Sequence, residues 1–353
     1  MKIQQLTFTR FIAAIAIVIF HFGKEIDFFS KGNLSFVFTQ ANVGVSYFFV
    51  LSGFVMIIAY NDKLHIDFFD FIKNRIARIY PVYFLAIFLT IGMKLFAKIN
   101  WIDLSLNVLM IQAWIPNKAL TINFPGWSLS VEMFFYILFP LLVNTIYKKY
   151  SFKTNCFIIL LFWIFSQVFF QLLSAKWLII DIFQDENMLY HPVLHLNEFL
   201  IGNLTAMYFI KTYDKSKEAN YAVAILVVLL VLVMVLKFHF GLNYHNGFLS
   251  LIFVPFIFLV SKSNDKVTCF FKNEAFVFLG EISFSVYILQ RPVSKMITPF
   301  LIEKYTGIHI ELNDPKLFFF RLVSLLILST LSFLYFEKPL RNTIKKINLN
   351  TIS

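Results

Sequence analysis

The sequence predicts an all-α fold: a polytopic integral membrane bundle of about ten transmembrane helices with both termini cytoplasmic. Three observations carry that prediction. Hydrophobic residues make up 59% of the 353-residue chain and charged residues only 14%, outside the usage of soluble domains. Apolar runs repeatedly approach the roughly 20 residues that a helix needs to cross a hydrocarbon core of about 30 Å. Basic residues alternate from loop to loop, as the positive-inside rule requires of short loops.

The expected spans are residues 7–23, 43–60, 81–97, 127–147, 155–173, 193–210, 219–236, 247–261, 277–297 and 316–336. The first apolar run, Phe11 to Phe20, follows Arg10 and ends in His21-Phe-Gly-Lys without a small-x-small cleavage site, so it reads as a mature helix and not as a signal peptide. Residues 101–114 are a weaker stretch, broken by Asp103 and ended by Pro116, suited to a partial or interfacial helix. Inside segments hold Lys2; Lys63, Lys73, Arg75 and Arg78; Lys148, Lys149 and Lys153; Lys211, Lys215 and Lys217; Lys262, Lys266 and Lys272; and Lys338, Arg341, Lys345 and Lys346. Outside segments hold fewer, among them Lys24, Lys98 and Lys118, balanced by Asp and Glu. One membrane domain is expected over 1–340, with a short basic cytoplasmic tail over 341–353.

The net charge of +11 is spread in these clusters instead of forming one stripe, which argues against nucleic acid as a partner. Cys156 and Cys269 both fall near the cytoplasmic face and suggest no disulfide. His191 and His195 have the spacing of zinc ligands, but Pro192 lies between them and no zinc motif surrounds them, so no metal is expected.

Ionisable residues within spans are costly and therefore functional suspects. They are Arg10, His21, Glu132, Glu198 and Glu281. Arg10 and His21 are eleven positions apart, which returns them to nearly the same helix face with a rise of about 16 Å, comparable to a pantetheine arm. Arg75 and Arg78, three apart ahead of Pro81, would share a face on a helical turn. Forked cations at a cytoplasmic mouth suit phosphate oxygens. Glu132 lies at similar depth to His21, where a carboxylate would orient an imidazole acting as a base. Ser52-Gly53 is a small pair at mid-span, suited to close helix packing. Glu198 reads as a contact to acceptor hydroxyls or to another helix, and Glu281 as a structural ion-pair partner for Arg75 or Arg78.

These residues resemble the acyltransferase 3 family of membrane O-acyltransferases, which includes O-acetylating enzymes of O-antigen, nodulation factor and other bacterial glycans. The resemblance rests on Arg10 and His21 with ten residues between, Phe-Phe-Val-Leu-Ser-Gly-Phe at 48–54, Arg75-x-x-Arg78-x-x-Pro81, Trp127-Ser-Leu-x-x-Glu132, Gly280-x-Ile-Ser-Phe-Ser-x-Tyr287 and Phe336-Glu-Lys-Pro339. It implies a ten-helix fold in the bacterial inner membrane, acyl-CoA (usually acetyl-CoA) as donor, and a glycan or lipid-linked saccharide as acceptor. It implies His21 as the catalytic residue, supported by Glu132, with Arg10, Arg75 and Arg78 holding the CoA phosphates. Ser52, Trp127, Ser130, Tyr287 and Gln290 are candidate substrate contacts. One position departs from the pattern: many members read Tyr-Leu-x-His-x-Pro where this chain has Tyr287-Ile-Leu-Gln290-Arg291-Pro292, so a second imidazole is missing. Gln290 hydrogen-bonds but accepts no proton at useful pH.

Many relatives append a soluble hydrolase-like domain after the membrane part, whereas this sequence runs fewer than about twenty residues past its last span, so the membrane part is expected to act alone or with a separate partner. Two routes stay open: His21 removes the acceptor's proton for direct attack on the thioester, or first takes the acyl group itself. The rival readings are a secondary transporter or lipid-linked sugar flippase, which would use the same intramembrane charges, and a structural or sensory protein in which they are interhelical glue. His65 and Asp70 form an HxxxxD pattern known from glycerolipid acyltransferases, but the other motifs of that α/β family are absent and a solvated loop is expected.

Overall fold

The computed structural model describes residues 3–93, 99–214, 218–238 and 240–347. Lys2, Lys98, Lys215 and Lys217 of the charge alternation, residues 94–97 of the third expected span and 348–353 of the expected tail lie outside the described residues. Among those described the regular structure is helical, apart from an isolated bridge between Ala219 and Ser263. The principal helices are α1 (Gln5–Phe22), α2 (Gly44–Tyr60), α3 (Phe68–Gly92), α4 (Trp101–Val108), α5 (Trp127–Leu141), α6 (Phe152–Ser174), α7 (Leu196–Thr212), α8 (Ala222–Lys237), α9 (Ser250–Lys262), α10 (Glu274–Ile288), α11 (Gln290–Met296), α12 (Pro315–Ser332) and α13 (Lys338–Lys346).

Among the described residues seven helical runs, those containing α1, α2, α3, α5, α6, α7 and α12, are long and apolar enough to cross a membrane. The protein is a multi-pass membrane protein. The expected spans at 219–236 and 247–261 appear as the shorter apolar helices α8 and α9. The span expected at 277–297 is divided into α10 and α11 at Leu289. Pro292 explains the division: it has no N–H to offer the Ile288 carbonyl one turn back, and its ring crowds that oxygen. The freed carbonyl accepts instead from Asn123 Nδ2 at 3.2 Å, so no buried acceptor is orphaned.

Two compact units make up the chain. The first contains Met1–Ala13, Val43–Ile66 and Ile137–Glu281. Here α2 and α7 cross through two glycines: a Cβ on Gly53 would lie 2.2 Å from the Phe199 carbonyl oxygen, and one on Gly202 would lie 2.0 Å from that of Val50. Lipid gives apolar surfaces little reason to associate, so such small-residue crossings are what lets helices pack closely. The packing expected of Ser52-Gly53 is what this unit shows. Phe49, Phe54, Phe139, Phe199 and Phe209 are fully buried in it.

The second unit contains Ala14–Asn42, Asp67–Tyr136 and Ile282–Ser353. Its helix α3 begins well before the span expected at 81–97, because the Asp67 side chain caps it by accepting from the Asp70 N–H at 2.7 Å. Arg75 and Arg78 are therefore helical, and Pro81, expected to open the span, sits inside it. Asp70 bonds Lys73 and His65 is exposed, as befits a surface segment. At the far end of α12 a wide π-type turn over Phe333–Glu337 leads into α13. Such turns aim a side chain where a regular helix would not, and here Glu337 is turned inward and buried.

Candidate active site

His21 is the last but one residue of α1 and belongs to the second unit. Its Nδ1 lies 2.8 Å from Oε1 of Gln290, the first residue of α11. The break before α11 sets this contact, because it frees the Tyr287 carbonyl to accept from Gln290 Nε2 at 2.9 Å. A carbonyl cannot donate, so that bond fixes which end of the amide is nitrogen, and the other end presents oxygen to the imidazole. An amide oxygen only accepts. Nδ1 must therefore carry a proton, and in the neutral ring Nε2 holds the lone pair.

The ring is held on its other side by Phe124, 4.4 Å away between centroids, and the Arg291 guanidinium lies 5.6 Å from the same phenyl ring. Phe124 stands in the turn that precedes α5, and that turn is tied down at several points. Tyr287 Oη donates to the Pro125 carbonyl at 3.2 Å, and Gln112 Nε2 donates to Gly126 O at 2.7 Å and to Tyr83 Oη at 3.2 Å. A Cβ on Gly126 would come within 2.9 Å of the Tyr83 ring, so glycine is required there for the close approach. Ser130, fully buried on the first turn of α5, accepts from the Ala113 N–H at 3.4 Å. Trp127 is half-buried at the start of α5.

Glu132, expected to orient His21, accepts from Tyr136 Oη at 2.7 Å, one turn along α5. At His21 the orienting hydrogen bond comes from Gln290. Tyr136 also feels the charges of Arg75 and Arg78, and the Arg75 guanidinium stands 5.3 Å from the Phe71 ring and 5.9 Å from the Tyr136 ring. Glu132 thus belongs with the arginine pair through Tyr136. Sequence reading missed Tyr136 as a link, although Glu132 and Tyr136 have the i, i+4 spacing that puts two side chains on one face.

Arg10 and Ser52 fall in the first unit, where Arg10 acts electrostatically on Tyr47, whose hydroxyl meets Thr9 Oγ1 at 2.5 Å. His195 is buried there with Nδ1 2.8 Å from Glu198 Oε2 and Nε2 2.9 Å from the Leu189 carbonyl, so the contact of Glu198 is with its own helix turn. Glu281 is exposed. Among the described residues no group of three or more His, Cys, Asp or Glu side chains is arranged to hold a metal ion.

A family model described as an acyltransferase domain, of the acyltransferase 3 family, matches residues 3–336. Acyltransferase MdmB of Streptomyces mycarofaciens is 32% identical over 42% of this chain and 41% of its own length. An uncharacterised protein of Haemophilus influenzae is 29% identical over 52% of the chain and 82% of its own length. A Staphylococcus aureus (strain COL) protein provisionally named an O-acetyltransferase is 24% identical over 96% of the chain and 57% of its own length. The chain thus spans about half the length of two of these three relatives. No solved structure matches. The family model covers nearly the whole chain, including every element that builds the His21 site, and the protein belongs to the acyltransferase 3 family.

Proposed function

We propose that this protein is a membrane O-acyltransferase that moves an acyl group, most simply acetyl, from cytoplasmic acyl-CoA to a hydroxyl of an extracytoplasmic or lipid-linked glycan. The observation that carries the reading is the Gln290 contact, which leaves His21 Nε2 as the atom with a free lone pair at the end of α1. In the reaction Nε2 takes the acceptor's hydroxyl proton while that oxygen bonds to the thioester carbon. The carbon–sulfur bond then breaks, and the imidazolium returns the proton to the departing thiolate. In the two-step alternative the same lone pair takes the acyl group first. Nε2 is the reacting atom in both.

Arg75 and Arg78 suit the CoA phosphates, because guanidinium forks match phosphate oxygens and stay charged at any working pH. Glu132 and Tyr136 support that pair. Trp127, Ser130, Tyr287 and Gln290 shape the surroundings of the transferred group. We further propose ten crossings, adding α8, α9 and the α10–α11 pair to the seven long runs, with both termini cytoplasmic in a bacterial inner membrane. The alternation of Lys and Arg supports that orientation.

The test is transfer of labelled acetyl from acetyl-CoA to extracted envelope glycans by membranes carrying wild type or His21→Ala at matched protein levels. Label in glycans with wild type alone is expected. Equal labelling by both would remove His21 from the chemistry, and thiol release absent from both would overturn the acyl-CoA reading.

A further inference from the structure

The two arginines of α3 do not stand alone. Helix α13 packs along the same end of α3 within the second unit, and Lys73 of α3 donates to the Ile347 carbonyl at 2.9 Å just past the end of α13. Arg341 and Lys345 are four apart and so on one face of α13. Lys345 lies within electrostatic reach of Arg341, Arg75 and Arg78. Arg341 and Arg78 act on Glu337 in the same way.

Arg341 and Arg78 thus share the buried Glu337 carboxylate, and Lys345 adds a fourth cation within reach of all three arginines. That carboxylate is already engaged, since Glu337 accepts from the Ser285 and Ser332 hydroxyls. Arg341 Nε is buried and makes no hydrogen bond among the described residues. A buried guanidinium N–H left unpaired, beside three like charges, is unfavourable unless an anion completes the set. Two carboxylates, Glu337 and the Glu132 that stands with the arginine pair, do not match four cations. An anion with several phosphate oxygens fits them.

We propose that Arg341 and Lys345 of α13 complete, with Arg75 and Arg78, a polyphosphate site that takes the nucleotide end of CoA, its pyrophosphate and ribose phosphate. The inference rests on the acyl-CoA reading above and extends it to a helix that sequence analysis treated as a charge-biased tail. A basic helix at the end of a membrane domain has a simpler use, attraction to anionic lipid headgroups. Two features favour the nucleotide. Arg341 is half-buried with its Nε enclosed, whereas a lipid-facing cation would reach outward; and α13 packs against α3, with Lys345 within electrostatic reach of Arg75 and Arg78.

The test measures binding of CoA to the purified full chain in phosphatidylcholine nanodiscs, which hold no anionic lipid, and in discs containing phosphatidylglycerol, for wild type, Arg341→Gln, Lys345→Gln and Arg341→Lys. Each charge removal is expected to weaken CoA binding roughly tenfold, the worth of one charge-assisted hydrogen bond, and to raise KM for acetyl-CoA more than it lowers kcat. Arg341→Lys is expected to recover part of the loss. Lys345 is exposed, so its variant reads the site without disturbing the core. Wild type that binds CoA while both Gln variants bind it equally well overturns the inference and leaves the acyl-CoA reading standing. So does a loss confined to discs containing phosphatidylglycerol, which marks a lipid site. Wild type that does not bind CoA overturns the acyl-CoA reading itself.

Discussion

Replacing Gln290 by Leu tests the tautomer argument directly. The side chain is fully buried and its oxygen is the only hydrogen-bond partner of His21 among the described residues. Leucine keeps the volume and removes the acceptor, leaving Nδ1–H buried without a partner at a cost of about 1–3 kcal/mol. The ring escapes that cost by moving its proton to Nε2, which removes the lone pair needed for the reaction. Where the whole cost is withdrawn from the competent tautomer, kcat falls about 5- to 150-fold, at 1.36 kcal/mol per decade. KM for acetyl-CoA is expected to change little, because the side-chain bonds of Gln290 go to His21 and to the Tyr287 carbonyl.

The assay is thiol release from acetyl-CoA in nanodiscs supplied with envelope glycans, with thermal unfolding midpoints compared to exclude simple loss of fold. Gln290→His restores a ring-nitrogen acceptor of the kind many relatives carry at this position, and is expected to retain more kcat than Gln290→Leu. A Gln290→Leu protein with wild-type kcat would refute the claim that Gln290 sets the proton on Nδ1, and with it the assignment of Nε2 as the reacting atom.

Other consequences concern stability. Gly53→Val places side-chain carbon where the Phe199 carbonyl stands and is expected to cost about 1–3 kcal/mol or more through forced separation of α2 and α7, measured as a lowered unfolding midpoint; an unchanged midpoint would show that the crossing is looser than described. Asp265, beyond the end of α9, is buried, which raises its carboxyl pKa, but hydrogen bonds from Ser263 and Thr268 side chains and the Thr268 and Val267 N–H groups outweigh burial and hold it below the usual carboxylate range. A folded-state pKa below the unfolded one gives stability that is present above the unfolded value and lost as pH falls through the folded one. Asp265→Asn is therefore expected to flatten the acid limb of a stability–pH curve, and Asp265→Ala to cost about 1 kcal/mol at neutral pH as a lost cap.

The membrane class was legible because apolar run length is a one-dimensional property: a crossing helix must be apolar over its own length whatever its neighbours do. Ends and breaks were less so. The start of α3 was misread because Asn-Arg-Ile-Ala-Arg looks like loop charge, whereas the signal that mattered was the Asp67 cap one helical turn earlier than Asp70. The break at Leu289 was signalled by Pro292, but only the Asn123 side chain, far away in sequence, makes the freed carbonyl tolerable. His21 was singled out because an imidazole in a span is rare and costly. Its partner was not identified, since Glu132 and Gln290 are equally plausible hydrogen-bonding residues until the chain is folded.

Gln290 shows why the substitution in the Tyr-x-x-His pattern need not weaken the site. A histidine there has two nitrogens whose roles depend on its own tautomer, so it can accept from Nδ1 of His21 only when its facing nitrogen is unprotonated. Glutamine has no such freedom: with Nε2 committed to the Tyr287 carbonyl, its oxygen accepts at every pH. The loss of a second titratable group thus removes one protonation requirement from the site, and in the proposed reaction it leaves His21 alone as the base.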